Sequence, residues 1–231
     1  MEVLILAGGK GMRLRPYTTV LPKPLMPLGN KPILERLIIQ LRDHNFTKVY
    51  LSVGYLSSLI KAYFGDGQKL GVEIEYIQED NPLGTAGPIA LLPEIDKPYL
   101  VLNGDLVTNL NFAEIVNFHN TQDSILTIGI HELKYQLPLG FLEINHNKEI
   151  IDYIEKPIKK YNMSMGIYVC SPSILKYIPK NEYLDFPDLT KKLLKAGEKV
   201  IGYFNNSYWL DVGRPEEYEK ALEIAAKNNW G

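Results

Sequence analysis

The chain has 231 residues, 45% hydrophobic and 23% charged, with a net charge of −2; this is the range of one large α/β domain with a sizeable core and requires no division into separate domains. That balance provides no broad basic field for nucleic acid or anionic lipid, so cations have to be concentrated locally and small anionic ligands suit the chain better. Cys170 is the only cysteine, which excludes an internal disulfide, and its apolar neighbours in 166–170 mark a buried, inert thiol.

In chain order, the apolar run 3–7 reads as a central strand, followed by a helix near 31–44, a strand at 48–53, a helix near 56–64, a strand at 73–77, a helix near 85–92 and a strand at 99–103. This alternation is that of a mostly parallel sheet. Ile33, Leu34, Leu37, Ile38 and Leu41 keep the spacing of one buried helix face, with Pro32 in the first turn. After a helix at 111–120 come shorter strands near 125–130, 141–145 and 150–154, which predict a small antiparallel extension lying over the sheet. A strand near 165–170, helices near 172–178 and 186–196, strands near 199–204 and 208–210 and a helix at 215–228 complete a Rossmann-like three-layer α/β domain. The chain opens on a strand rather than a signal pattern, and no stretch approaches the ~18 apolar residues of a membrane span, which points to a cytoplasmic protein without membrane contact.

Directly after the first strand, Gly8, Gly9 and Gly11 supply backbone that can turn with positive φ and aim amides at anionic oxygens, and Arg13, Arg15 and Lys23 add charge. A plain turn with solvated basic residues has the same glycines. Two common phosphate motifs fit poorly. Lys10 is followed by Gly11 rather than Ser or Thr, and Leu14 stands where a dinucleotide fingerprint needs its third glycine. Asp105, after the strand at 99–103, and Asp211, after Trp209-Leu210, are carboxylates at strand ends, able to hold Mg²⁺ through one oxygen each or to serve as turn residues. The four histidines have no metal-ligand spacing, and no Gly-x-Ser-x-Gly elbow supports hydrolase chemistry.

The constellation Gly-Gly-x-Gly-x-Arg-Leu-x-Pro at 8–16, followed by Pro-Lys-Pro at 22–24, resembles the signature of the sugar-1-phosphate nucleotidylyltransferases. The resemblance runs over nearly the whole chain. It implies a nucleotide-binding half at about 1–110 and a sugar-phosphate-binding half at about 111–231, without the C-terminal β-helix of some relatives. It also implies an enzyme that joins a nucleoside triphosphate, best matched by GTP, to a sugar 1-phosphate. Nucleotide contacts would come from Leu6, Ala7, Gly8, Gly9, Gly11, Met12, Arg13, Lys23, Gln78, Gly84, Thr85, Asn103 and Gly104. Sugar-phosphate contacts would come from Gly140, Glu155, Lys156 and Gly166, and Mg²⁺ would be held by Asp105 and Asp211. Arg13, Lys23, Asp105, Lys156 and Asp211 would carry the catalysis. Pro-Leu-Gly-Thr-Ala-Gly at 82–87 looks most like the guanylyltransferase branch, where Glu79 or Asp80 would accept from guanine's two Watson–Crick donors; uridylyltransferases have near relatives of this loop. Met12 replaces a usual Thr and Ser164 a usual Asn. A nucleotide-sugar-dependent glycosyltransferase is disfavoured because no Asp-x-Asp occurs. A regulatory protein that binds sugar nucleotides without making them is the competing class, and a homo-oligomer stays open.

Overall fold

Val3, Leu4 and Ile5 are fully buried because their strand, β1 (Glu2–Leu6), has a parallel neighbour on each side and covering layers on both faces. The computed structural model describes residues 1–228. Following β1 are β2 (Pro27–Leu28), β3 (Lys31–Pro32), α1 (Ile33–Asp43), β4 (Lys48–Val53), α2 (Ser57–Phe64), β5 (Glu73–Gln78), β6 (Tyr99–Asn103), β7 (Leu106–Thr108) and α3 (Phe112–Asn120). The remainder comprises β8 (Leu126–Gln136), β9 (Phe141–Ile144), β10 (Ile150–Ile154), β11 (Ile158–Cys170), α4 (Phe186–Lys195), β12 (Val200–Phe204), β13 (Trp209–Asp211) and α5 (Pro215–Lys227). Seven strands form the main sheet in the order β12-β8-β11-β6-β1-β4-β5. Only β11 runs antiparallel to its neighbours, so the sheet is mixed but mostly parallel.

Alternate residues of β1 face opposite layers. Val3 and Ile5 join Leu37, Ile38 and Leu41 of α1, Ile60 of α2 and Ile115 of α3, whereas Leu4 joins Phe186 and Leu189 of α4. Burying one such side chain contributes ~1.5–3 kcal/mol. A third, smaller cluster lies where β7 and β13 pair: Val107 and Val212 meet Leu14 and Met26, with Ala221 and Ala225 of α5 closing over them.

The structure departs from the sequence pattern in four places. The helix expected near 85–92 is a short 3-10 turn, Gly87–Leu91, because the amides of Ala86 and Gly87 both donate to the Leu184 carbonyl, at 2.8 and 3.0 Å, instead of entering a helix. Residues 172–178 likewise form a 3-10 turn, Pro172–Tyr177. The first helix starts at Ile33, since Lys31 and Pro32 pair with Leu28 and Pro27. Finally, β8 and β11 continue as a two-stranded ribbon past the sheet to Gln136 and Ile158, with the β9–β10 hairpin beyond. Every residue of β9 and β10 is exposed, so the antiparallel extension projects from the sheet rather than lying over it.

One buried polar knot ties α3 to the sheet. Ser171 Oγ donates to the Ser124 carbonyl at 2.8 Å, which uses its only proton, so the His119 Nε2–H must donate to Ser171 Oγ at 3.0 Å. Nδ1 then accepts from Thr127 Oγ1 at 2.7 Å, and the ring is neutral. Burial pushes its pKa below the ordinary value. The unfolded chain therefore takes up a proton near pH ~6.5 while the folded one does not, and stability falls as pH drops below that point. Because the raised Asp211 carboxyl contributes with the opposite sign, the check is a difference: in urea unfolding the wild type is expected to lose stability relative to His119→Gln as the pH falls from 7.5 to 5.5.

Candidate active site

The amides of Gly8, Gly9, Lys10 and Gly11 follow the last sheet bond of β1, Ala7 N to Ser52 O at 2.8 Å, and none donates to another group among the described residues. Of the three glycines only Gly11 needs positive φ, at 59°. Its carbonyl accepts from Thr18 Oγ1 at 2.7 Å, and a Cβ there would meet Thr18 and Lys23 at 2.9 and 3.2 Å. Gly8 is small for another reason: a Cβ would lie 2.7 Å from Glu79 Oε1. The result is a loop of unpaired N–H groups suited to anionic oxygens.

Asp105 lines a cavity with this loop, and Asp211, which lines neither cavity, is joined to it through Lys23. Asp105 sits in the turn between β6 and β7, where the Gly104 amide donates to the Leu6 carbonyl at 2.9 Å and a Cβ on Gly104 would crowd that carbonyl at 3.0 Å. Asp211 ends β13, which pairs antiparallel with β7, and the Val212 amide donates to the Asp105 carbonyl at 3.1 Å. The Trp209 indole N–H fixes β13 by donating to the Met165 carbonyl at 2.8 Å. Residues 106 positions apart are thereby set side by side. The Lys23 ammonium donates to Asp105 Oδ2 and lies 3.8 Å from Asp211 Oδ1. Burial and the neighbouring Asp105 carboxylate, followed by Glu217, push the Asp211 carboxyl up to about 6 against the pull of Lys23 and Arg13.

Asp105 Oδ1 and Asp211 Oδ1 are buried without hydrogen-bond partners. Two hard, anionic oxygens left open in this way fit Mg²⁺, which characteristically takes one or two carboxylates and fills its remaining positions with water and phosphate. Among the described residues no group of three or more His, Cys, Asp or Glu side chains converges, so a cation here would rely on such outside ligands.

Two contiguous cavities meet at Leu6, Gly9 and Asp105. The smaller, ≈ 260 Å³, is lined by Ala7, Gly11, Met12, Arg13, Lys23 and Gly104 among others. The larger, ≈ 990 Å³, takes in Gly8, Gln78, Gly84, Thr85 and Asn103 and has the size of a small-molecule site. Gly166, with φ of 68°, sits at a register shift in β11, and a Cβ there would lie 2.5 Å from Asn103 Nδ2. Gly140, Glu155 and Lys156 line neither cavity and belong to the extension. Gly140 and Glu155 are neighbours there, because the Tyr153 hydroxyl donates to Glu155 Oε2 at 3.1 Å and would collide with a Cβ on Gly140. Lys156 Nζ stands 4.0 Å from Glu155 Oε1 and is mostly exposed.

The carboxylate of Glu79 is occupied by local structure, accepting from Ser52 Oγ and from the Leu83 amide at 3.0 Å, so it holds the loop, whereas Asp80 is exposed on the larger cavity. Sequence reasoning missed Tyr183 and Asp185, which also line that cavity. Asp185 Oδ1 accepts from the Thr85 amide at 2.8 Å and hydroxyl at 3.0 Å, and Oδ2 accepts from the Tyr183 hydroxyl at 2.6 Å. Burial raises the Asp185 pKa, but these three bonds outweigh it and leave the carboxyl below its ordinary value. Thr85 Oγ1 in turn accepts from the Phe186 amide at 2.9 Å, so Thr85 caps α4 rather than a helix of its own. The sequence predicts the helix near 186–196, but not the contact of Asp185 with Thr85, 100 residues away.

The amide loop, the lysine and the two carboxylates meet at the strand ends of a mixed α/β sheet, and the chain belongs to the nucleotidyl transferase family, whose model matches residues 2–228. It is 33% identical to a UTP–glucose-1-phosphate uridylyltransferase of Synechocystis, over 96% of this chain and 62% of that protein. It is 30% identical to a mannose-1-phosphate guanylyltransferase of Mycobacterium tuberculosis, over 94% of this chain and 62% of that protein. The chain thus spans about three-fifths of the length of these curated relatives. Among solved structures it is similar to HddC from Yersinia pseudotuberculosis complexed with GMP-PN, with a TM-score of 0.75 and 29% identity over 96% of this chain and 98% of that one.

Asp185→Ala removes the shared acceptor of three hydrogen bonds and leaves the Thr85 amide unpaired. The expected cost is roughly 1–3 kcal/mol in urea unfolding, with secondary structure by circular dichroism unchanged.

Proposed function

We propose that the chain is a sugar-1-phosphate nucleotidylyltransferase, forming a nucleoside-diphosphate sugar and pyrophosphate from a nucleoside triphosphate and a sugar 1-phosphate. The observation that carries this reading is the meeting of Lys23, Asp105 and Asp211 beside the unpaired amides of Gly8 to Gly11, at the mouth of a cavity large enough for a nucleoside. The amides and Arg13 hold the triphosphate, with Gln78, Gly84, Thr85 and Asn103 around the nucleoside. GTP is the first candidate: one relative is a guanylyltransferase, HddC was solved with GMP-PN, and Asp80 is free on the cavity to accept from guanine's N–H donors.

A phosphate monoester has its second pKa near ~6, so the sugar phosphate is already ionised at neutral pH and its attack in line on the α-phosphorus needs no general base. The obstacle is repulsion between two anions. Lys23 meets it by exchanging its contact with Asp105 for the phosphate oxygens, and Arg13 adds a second positive charge. Asp105 and Asp211 would hold Mg²⁺, whose charge offsets that of the triphosphate and departing pyrophosphate. On the sugar side, Gly140, Glu155 and Lys156 are assigned to the second substrate, Glu155 accepting from sugar hydroxyls and Lys156 pairing with the 1-phosphate. Since they stand on the projecting extension, their part requires it to approach Gly166 and Asp105 when substrate is bound. Catalysis then consists of alignment and electrostatics.

Pyrophosphate release, measured for the common nucleoside triphosphates against a panel of sugar 1-phosphates with Mg²⁺, is expected to single out one pair, led by GTP. Binding of a sugar nucleotide with no release for any pair would instead favour a non-catalytic binder. With the preferred pair, Lys23→Ala and Asp105→Ala should each lower kcat on the order of 10²–10³-fold, and near-complete turnover in either would sink the mechanism. Lys156→Ala should act mainly on KM for the sugar 1-phosphate.

A further inference from the structure

Lys61 of α2 donates from Nζ to the side-chain Oε1 of Gln78 at 2.9 Å. The ring of Tyr76 lies beside the same ammonium, its centroid 5.7 Å from Nζ and within reach of cation–π attraction. Tyr76 and Gln78 are alternate residues of β5 and so share a face of the sheet, and Tyr76 packs against the core that Ile60 and Phe64 of α2 enter. The Tyr76 hydroxyl donates in turn to the carbonyl of Gly65, which follows the last residue of α2, at 2.7 Å. The lysine thus rises from a helix tied to the strand that carries its partner.

That partner matters because a glutamine amide can be placed either way round. An ammonium only donates, so Lys61 fixes which end it meets: the oxygen. At the other end, Gln78 Nε2 donates to the Glu79 carbonyl at 3.4 Å. A flipped amide would set oxygen against oxygen at Glu79 and N–H against N–H at Lys61, so two contacts of opposite chemical kind select one orientation. Gln78 lines the larger cavity and Lys61 does not. With Oε1 drawn to Lys61 and one amide proton on Glu79, the second N–H of Nε2 is the group left for a ligand. The cavity is offered a donor here, with the Asp80 acceptor two residues on.

This pairing sorts nucleobases by their Watson–Crick edges. Guanine, uracil and thymine place a carbonyl acceptor next to a ring N–H donor, whereas adenine and cytosine place an amino donor next to a ring-nitrogen acceptor. A fixed donor beside an acceptor matches the first group and leaves like facing like with the second, which is how a site built to hydrogen-bond its ligand rejects an analogue.

We propose that Lys61 is a positioning residue for base selection: by holding the Gln78 carbonyl it turns an amide donor into the cavity, so that the site takes bases with a carbonyl beside a ring N–H and rejects those with an amino group beside a ring nitrogen. The inference deepens the nucleoside reading of the larger cavity and rests on it, but it does not depend on turnover.

Calorimetric binding of GTP, UTP, ATP and CTP to the whole chain, with Mg²⁺ and no sugar phosphate, tests it. The wild type is expected to prefer GTP and UTP over ATP and CTP. Lys61→Met frees the amide to turn and should cut that preference about tenfold, mostly through weaker binding of GTP and UTP, while Lys61→Arg, which keeps a donor, should retain most of it. In a Gln78→Ala background Lys61→Met should leave the preference unmoved, because the lysine acts only through that amide. Circular dichroism checks that each variant is folded. Equal weakening of all four ligands by Lys61→Met, the effect of losing a positive charge near a polyanion, overturns the proposal. So do a change of preference that persists in the Gln78→Ala background, a wild type that favours ATP or CTP or discriminates among none, and a wild type that binds none of the four. The reaction is judged apart from this: base-selective binding without pyrophosphate release for any sugar 1-phosphate removes the reaction and leaves the role of Lys61, whereas turnover with a preference indifferent to Lys61→Met does the reverse.

Discussion

Two carboxylates share one ammonium at the junction of β6, β7 and β13, and much of the remaining architecture can be understood as what that arrangement requires. Asp105 and Asp211 are close enough to repel and enclosed enough to lose part of their hydration, a combination that is costly unless a cation is built in. Lys23 is that cation. It reaches them from a short 3-10 turn between two prolines, Pro22 and Pro24, whose restricted backbones fix where its side chain begins. Asp211 depends on β13 being pinned to β7 along one edge and to Met165 through the Trp209 indole. The small third core under α5 serves chiefly to hold that strand pair in place.

The same logic of distant segments holding one another operates around the larger cavity. The loop after β5 has little regular structure of its own, and its amides are satisfied by Leu184 and Asp185 at the start of α4. Thr85 and Asp185 exchange the usual capping roles, each serving the other's segment. One wall of that cavity is thus made from two segments far apart in the chain. Residues from both halves of the sequence enter the main sheet as well, since β11 and β8 lie between β6 and β12.

The central strands and flanking helices were legible because their signals are local and redundant: continuous apolar runs for β1, β4 and β6, and a 3–4 spacing for α1. Asp105 and Asp211 were legible as strand-end carboxylates, though only a three-dimensional pairing of β7 with β13 explains their adjacency. What escaped was governed by contacts far along the chain. Nothing near Gly87 announces that its amide donates to Leu184, and nothing near Tyr183 places it on the larger cavity. The outer half of β8 was a different omission. His131 to Gln136 does alternate, with Leu133 and Tyr135 on one side and charged or amide side chains on the other, but burial fades there and the strand reads as ending at Ile130. The ribbon itself was therefore the least visible part of the fold.

The register shift around Gly166 separates β11 into two stretches with different obligations. Inward of it, Ile167 to Cys170 are locked between β6 and β8 in the centre of the sheet, where any slip of one residue would turn core side chains toward the wrong layer. Outward of it, the strand answers only to its ribbon partner. A shift of register outward of Ser164 therefore leaves the Gly8–Gly11 loop and the paired carboxylates in place. One strand is thus divided into a half fixed by the core and a half fixed only by its partner in the ribbon.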